Sequence, residues 1–274
     1  MTKMKKIILF AVSLFFLQYT VAQNDTSMQF SLLWEMPATG TIISLDPLGY
    51  SYVSNGTTLT KYDRQGMTAY TYSDLQYGNF NSIDSRNPMK ILVFSKDFTR
   101  ITLLNMQLSG INSAYNNLIN SNIVLPLCVC TAYDNGLWIY DENTDKIMRY
   151  DNMNKLCNET MILNHITNEK YIPQQIQESD HGLLIASDST YGFLIFNHLG
   201  TFIKSIPQTG VTDFCIYNNK LVYIQDNMLQ ITDIQTLWTQ SVTLPCSDIV
   251  KVRIQTNRML CVHKNDTISM YAWE

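Results

Sequence analysis

After its first few residues the chain has no run of lysine or arginine, and it contains no C-x-x-C, no H-E-x-x-H or H-x-x-H pair and no G-x-S-x-G elbow. Each absence removes a class of function. Without a basic run or a basic amphipathic segment nothing neutralises phosphates, so nucleic acid and anionic membrane surfaces drop out as partners. Without paired Cys/His spacing, zinc has no ligands at motif distance. The missing elbow removes one route to a nucleophilic serine, although a triad assembled from distant segments would leave no such trace. A calcium loop begins and fails: Asp141, Asn143 and Asp145 supply oxygens at positions 1, 3 and 5, but Lys146 stands where glycine is needed and Asn152 where a bidentate glutamate should be. An exposed hairpin explains those residues as well, and no metal or cofactor is expected. No long apolar stripe of helical period is present either, which favours β structure.

What is present starts with a leader. Lys3, Lys5 and Lys6 precede the apolar run 7–16, and Thr20, Val21 and Ala22 put small residues before Gln23, the pattern of a cleaved secretory signal. The apolar run is shorter than the roughly 20 residues that span a bilayer. Residues 1–22 therefore read as signal peptide and 23–274 as one exported domain, periplasmic or extracellular, with no transmembrane segment after cleavage. The whole chain has a formal net charge of −4; residues 23–274 carry three fewer lysines and so stand at −7. With 15% charged and 46% hydrophobic residues it can bury a core. The six cysteines, Cys128, Cys130, Cys157, Cys215, Cys246 and Cys261, lack the spacing of a small stapled domain. They read first as buried thiols, with one or two bridges as the alternative. Cys128 and Cys130 share one strand face and are poorly placed to pair with each other.

A repeat organises the rest. Ile42, Ile43 and Leu45, then Tyr50, Tyr52 and Val53, flank the turn Asp46-Pro47-Leu48-Gly49, and a second turn, Ser54-Asn55-Gly56, leads to the alternating run Leu59-Thr60-Lys61-Tyr62. This is a three-stranded meander that needs a fourth strand. Its third strand ends at Tyr62-Asp63, and equivalent marks fall at Leu104-Asn105, Tyr150-Asp151, Phe196-Asn197, Thr232-Asp233 and Tyr271-Ala272, at intervals of 42, 46, 46, 36 and 39 residues. Such a period, with several short strands in each unit, predicts an all-β, six-bladed propeller. The last unit lacks an outer strand, and the run 30–36, FSLLWEM, precedes the first unit without a blade of its own. The amino-terminal strand is therefore expected to close the last blade and cover two sheet edges. In the third unit the inner strand is placed at 130–133, and a helical turn is expected around 113–118.

The phrases D-x-x-G-x-x-Y-V, at Asp46 to Val53, and L-x-K-Y-D, at Leu59 to Asp63, resemble blades of extracytoplasmic propellers of the broad NHL/YVTN/WD40-like grouping, although the tryptophan-aspartate ending of WD40 blades is missing. That grouping includes scaffolds, sugar and peptide binders, lactonases and quinone-dependent dehydrogenases, so the resemblance implies a fold and no reaction. Its calcium-dependent hydrolases carry carboxylates and amides at the channel mouth. Residues opening inner strands or joining blades would do that here: Asn79, Asn81, Glu169, Asp213 and Asp248. His165 lies in the long connection 164–175, and Tyr77, beside Gly78 and Asn79, has a composition suited to protein or glycan contact. The expectation is a monomeric, non-catalytic protein-interaction or ligand-binding module of the cell envelope, with an envelope protein as partner. The alternatives are a calcium-dependent propeller hydrolase or lactonase and a glycan-binding propeller.

Overall fold

The computed structural model describes residues 28–38, 40, 42–76, 78–111 and 123–273. The leader expected at 1–22 and the helical turn expected at 113–118 lie outside them. Six antiparallel sheets of four strands each follow one another along the chain as blades I to VI, at 42–73, 82–111, 126–159, 175–206, 214–243 and 249–273. The fourth strand of blade VI is Phe30–Pro37, which pairs antiparallel with Thr267–Trp273. The ring is closed by the amino-terminal strand, as the unpaired ends of the repeat required. The register slips once, between Leu32 and Trp34, so that Trp34 and Met36 point into the seam against blade I.

The repeat marks have a physical cause. Asp63, Asn105, Asp151, Asn197 and Asp233 each follow a third strand, and in each the side-chain oxygen accepts two backbone N–H groups of the turn into the fourth strand, for example from Gln65 and Met67 at Asp63 (2.9 and 2.8 Å). Aspartate and asparagine recur there because a short side chain can replace a backbone acceptor at the start of a turn. Blade VI has no such residue because its fourth strand arrives from the other end of the chain.

The core is six separate cores, one between each pair of neighbouring blades. Alternation along each strand sends side chains to the two faces of its blade. In the inner strand of blade III, Cys128 and Cys130 pack toward blade IV and Val129 toward blade II. That strand runs Pro126–Thr131 rather than 130–133, because the Ala132 N–H already bonds the Gly136 carbonyl in the next turn (2.9 Å). All six cysteines are free, four of them buried.

Neighbouring blades are also tied by cations that reach the turn after the next blade's third strand. Lys61 donates to the Met106 carbonyl (2.9 Å), Arg149 to His198 (3.4 Å), Lys204 to Gln235 (3.2 Å) and Arg258 to Arg64 (3.1 Å). Lys61 is almost fully buried and lies over the Tyr50 and Tyr52 rings, 4.3 and 5.3 Å from their centroids. The rings and the Asp46 carboxylate replace the water that its ammonium has lost.

Candidate functional site

In an antiparallel blade, the connection that enters the inner strand and the turn between strands two and three lie at one end. The turns between strands one and two and between three and four lie at the other. The ring therefore has an upper rim of the first kind and a lower rim of the second. The inner strands, Ile42–Leu45, Ser82–Asp84, Pro126–Thr131, Gln175–Glu178, Phe214–Tyr217 and Ile249–Gln255, surround an axial channel to which all six blades contribute. It encloses a cavity of about 420 Å³, within the range of small-molecule sites, on the order of 300–1,000 Å³. Its wall is partly apolar, with Ile42, Ile43, Phe94, Leu127 and Ile172, and partly charged.

Side chains stitch the inner strands together. Ser44 and Ser85 share a hydrogen bond of 2.7 Å between blades I and II, and Gln175 holds both backbone groups of Phe214 between blades IV and V (2.8 and 3.2 Å). Two arginine-aspartate pairs do the same with charge. At the lower end Asp84 takes Arg86 side on (2.7–3.2 Å) and accepts the Thr131 N–H (3.0 Å) and hydroxyl (2.7 Å), while Arg86 also donates to the Thr131 carbonyl (2.7 Å). At the upper end Asp213 receives both terminal nitrogens of Arg253 (2.6 and 2.8 Å). Burial pushes the Asp84 carboxyl up, but the Arg86 guanidinium and the hydrogen bonds from Arg86 and Thr131 outweigh it and hold the group at about 2. Burial alone would lower both arginines, and their carboxylate partners raise them instead.

The two ends differ in what surrounds these pairs. Below, beside Arg86, the buried Glu178 accepts the Tyr133 N–H through Oε2 (2.7 Å) while its Oε1 has no hydrogen-bond partner. Burial raises its pKa, and the Tyr133 N–H, the neighbouring Trp138 side chain and the charges of Arg86 and Arg149 only partly oppose this. Above, Lys96 and Lys251 join Arg253 on the cavity wall. The cavity thus holds four cations, Arg86, Lys96, Lys251 and Arg253, against two carboxylates, Asp84 and Asp213, in a chain whose net charge is −4.

The structure brings few of the expected site residues together. Asp213 and Asn81 reach the channel, and the Asn81 Oδ1 accepts the Lys96 N–H (2.6 Å). Asn79 is exposed and sits over Gly56 in a turn of blade I, away from the cavity wall. His165, in the helical turn Leu163–Thr167, and Glu169, just after it, are exposed and do not line the channel. Tyr77 lies outside the described residues. Asp248 faces away from the channel into blade VI, where its Oδ1 meets His263 Nδ1 (3.0 Å) and His263 Nε2 meets the Ser269 hydroxyl (2.6 Å). The order of groups is that of a hydrolase triad, but Ser269 is fully buried and borders no cavity, so the relay ties the three strands of the closing blade. Asp141, expected in an exposed hairpin, is buried at the end of its strand, and its Oδ1 accepts the Val124 and Leu125 N–H groups (3.2 and 2.6 Å). Among the described residues no group of three or more His, Cys, Asp and Glu forms a metal cage, and no helix is long and apolar enough to cross a membrane.

Sequence reading missed Lys96, Lys251, Arg253, His263 and Ser269. One signal was available: Lys251 and Arg253 stand two apart in an inner strand, so both project from one face of it.

No protein-family model matches the chain, and no curated protein matches it in sequence. Solved structures match its shape. Selenomethionine-substituted virginiamycin B lyase from Staphylococcus aureus aligns over 89% of this chain and 99% of its own, with a TM-score of 0.61 at 12% identity. A catalytically inactive variant of that lyase with quinupristin gives the same values. The WD40 domain of Neurospora crassa Pan2 aligns over 89% and 95%, with a TM-score of 0.56 at 7% identity. At these identities the likeness is one of fold, and it places the chain in the broad propeller grouping.

Proposed function

We propose that this chain is an exported, non-catalytic ligand-binding propeller of the cell envelope, and that it takes a small molecule into the upper part of its axial channel. The observation that carries this reading is the cavity of about 420 Å³, whose wall is drawn from all six blades. A site held by six separately packed blades is fixed before the ligand arrives, so binding orders little of the protein. The charge on the wall argues against the calcium-dependent hydrolase: each channel carboxylate is committed to a guanidinium, and a divalent cation would enter against a net positive surround. A protein partner docking on the rim is the competing use of the same scaffold.

Native mass spectrometry of the protein released from envelope without denaturation tests the reading, with cross-linked capture on the same sample. A small-molecule adduct that disappears in Ile42→Trp, where the added ring fills the channel, is the expected result. A bare mass together with a stoichiometric protein partner retained by Ile42→Trp overturns it in favour of the interaction module.

A further inference from the structure

The seam where the ring closes carries two guanidiniums that no carboxylate answers. Arg64 lies in the turn between strands three and four of blade I, and Arg258 opens the second strand of blade VI, so both stand at the lower rim. Arg64 donates from Nε to the Leu48 carbonyl (2.7 Å), and Arg258 donates from Nη1 to the Arg64 carbonyl (3.1 Å), which the Trp34 indole also reaches (3.3 Å). A methyl group on the Gly49 Cα would touch both side chains, 3.4 Å from Arg64 Nε and 3.5 Å from Arg258 Cδ, so the two meet over one turn. Among the described residues these are the only hydrogen bonds of the two side chains, and neither forms an ion pair. Both terminal nitrogens of Arg64 and the Nη2 of Arg258 are therefore unspent. The carboxylates of the same turns are committed: Asp46 accepts the Tyr50 N–H and the Tyr52 hydroxyl (2.9 Å each), and Asp63 accepts the Gln65 and Met67 N–H groups. Arg149 makes the same kind of tie to its neighbouring blade, yet Asp134 neutralises it at 2.6 Å. Arg258 meets a second arginine instead, and burial together with that like charge pushes its pKa down. Beside the pair, Leu48 and Met67 are 39% and 67% exposed.

We propose that this corner of the lower rim is a docking point for an acidic segment of a partner polypeptide: a carboxylate lies between Arg64 and Arg258, and an apolar side chain next to it covers Leu48 and Met67. Charge complementarity selects the occupant. A guanidinium fork matches the two oxygens of a carboxylate, and each fork here is already anchored to a backbone carbonyl, so little freedom is lost when the carboxylate arrives. Arginine and methionine are the residue types enriched at protein interfaces. An anionic lipid surface is the poorer match, because such surfaces are held by clusters of cations and this corner offers two. The site is separate from the channel and needs no ligand there.

The test uses three acetylated, amidated tripeptides that differ in one side chain: Leu-Glu-Leu, Leu-Gln-Leu and Leu-Lys-Leu. Each is titrated into the folded chain and followed by the Nε–H resonances of Arg64 and Arg258 and the methyl resonance of Met67. The expected result is saturable binding of the glutamate peptide, with the glutamine peptide at least fivefold weaker and the lysine peptide without effect. Arg64→Gln is expected to weaken the glutamate peptide several-fold and leave the unfolding midpoint unchanged. Arg258→Gln also cuts a tie between blades, so Arg64→Gln is the deciding variant. Ile42→Trp, which fills the channel, should leave peptide binding as it is, whatever it does to a channel ligand. Loss of the peptide in Ile42→Trp would move its site into the channel and overturn the rim site. Equal binding of the glutamate and glutamine peptides overturns the carboxylate, and resonances that stay unperturbed with all three overturn the docking point. Vesicles of equal parts phosphatidylglycerol and phosphatidylcholine that retain the parent but not Arg64→Gln, with the peptides silent, overturn it in favour of a lipid surface.

Discussion

The two ends of the channel carry the same device, an aspartate clasped by an arginine, and use it differently. At the lower end Asp84 and Arg86 are joined by Thr131 into a network that fastens blade II to blade III. At the upper end Asp213 and Arg253 fasten blade V to blade VI and share the cavity wall with two lysines, Lys96 and Lys251. An ion pair by itself therefore says little about function. What surrounds each pair, Thr131 and Glu178 below and two lysines above, distinguishes the two ends.

The comparison breaks first at its lower end. Asp84→Ala would strand Arg86 and the N–H and hydroxyl of Thr131 in a site where the two charged side chains are only 11% and 21% exposed. We expect a loss of about 3 kcal/mol in denaturant unfolding, the low end of what removing one member of a buried pair costs. The double variant Asp84→Leu/Arg86→Met is expected to recover most of it, because a buried pair replaced by apolar groups of similar volume is close to neutral. Acid supplies the same test without mutation. The Asp84 carboxyl is held at about 2 in the folded chain, below its unfolded value of roughly 3.9. Its contribution is therefore complete above about pH 4 and is lost as pH falls toward 2. In Asp84→Asn that part of the acid limb should flatten; an unchanged limb would mean that the pair does not brace the ring.

Legibility in the sequence followed the same division between local and distant contacts. The blade count and the closing strand could be read because they depend on short-range features: a turn at Asp46 to Gly49, and an Asp or Asn whose side chain caps each third-to-fourth turn at a nearly regular interval. Contacts between blades could not. Asp213 and Arg253, or Asp84 and Thr131, meet across some forty residues or more of intervening chain, and nothing in the local pattern of either partner announces the other. Asp248 stands between blades in the sequence, and its contact with His263, which in turn meets the Ser269 hydroxyl, is one that only the folded blade brings together. Trp138 and Tyr140 pack in the seam between blades III and IV, where strand alternation alone sends them.

A smaller effect sharpens the lower end further. Glu178 is almost fully buried, with Oε1 unpartnered, and burial raises its pKa in the folded chain. A raised carboxyl contributes stability that is present below the unfolded pKa, about 4.3, and is lost as pH rises through the folded value. Glu178→Gln keeps an acceptor for the Tyr133 N–H and removes the charge. It should therefore gain on the parent as pH is raised from about 4 to 7, by on the order of 1 kcal/mol. A gain that is the same at both pH values would show that the residue acts through packing alone.

The smallest expected effect belongs to the upper end and does most to separate the two. Lys96 is exposed, and its backbone N–H, not its ammonium, makes the bond to Asn81. Lys96→Gln should shift stability by less than about 0.5 kcal/mol, and any shift should be toward greater stability at low salt, because a cation near Lys251 and Arg253 has been removed. Added sodium chloride should shrink that difference toward zero. A loss of 2 kcal/mol or more would make Lys96 a brace like Arg86, and the upper end would no longer differ in kind from the lower.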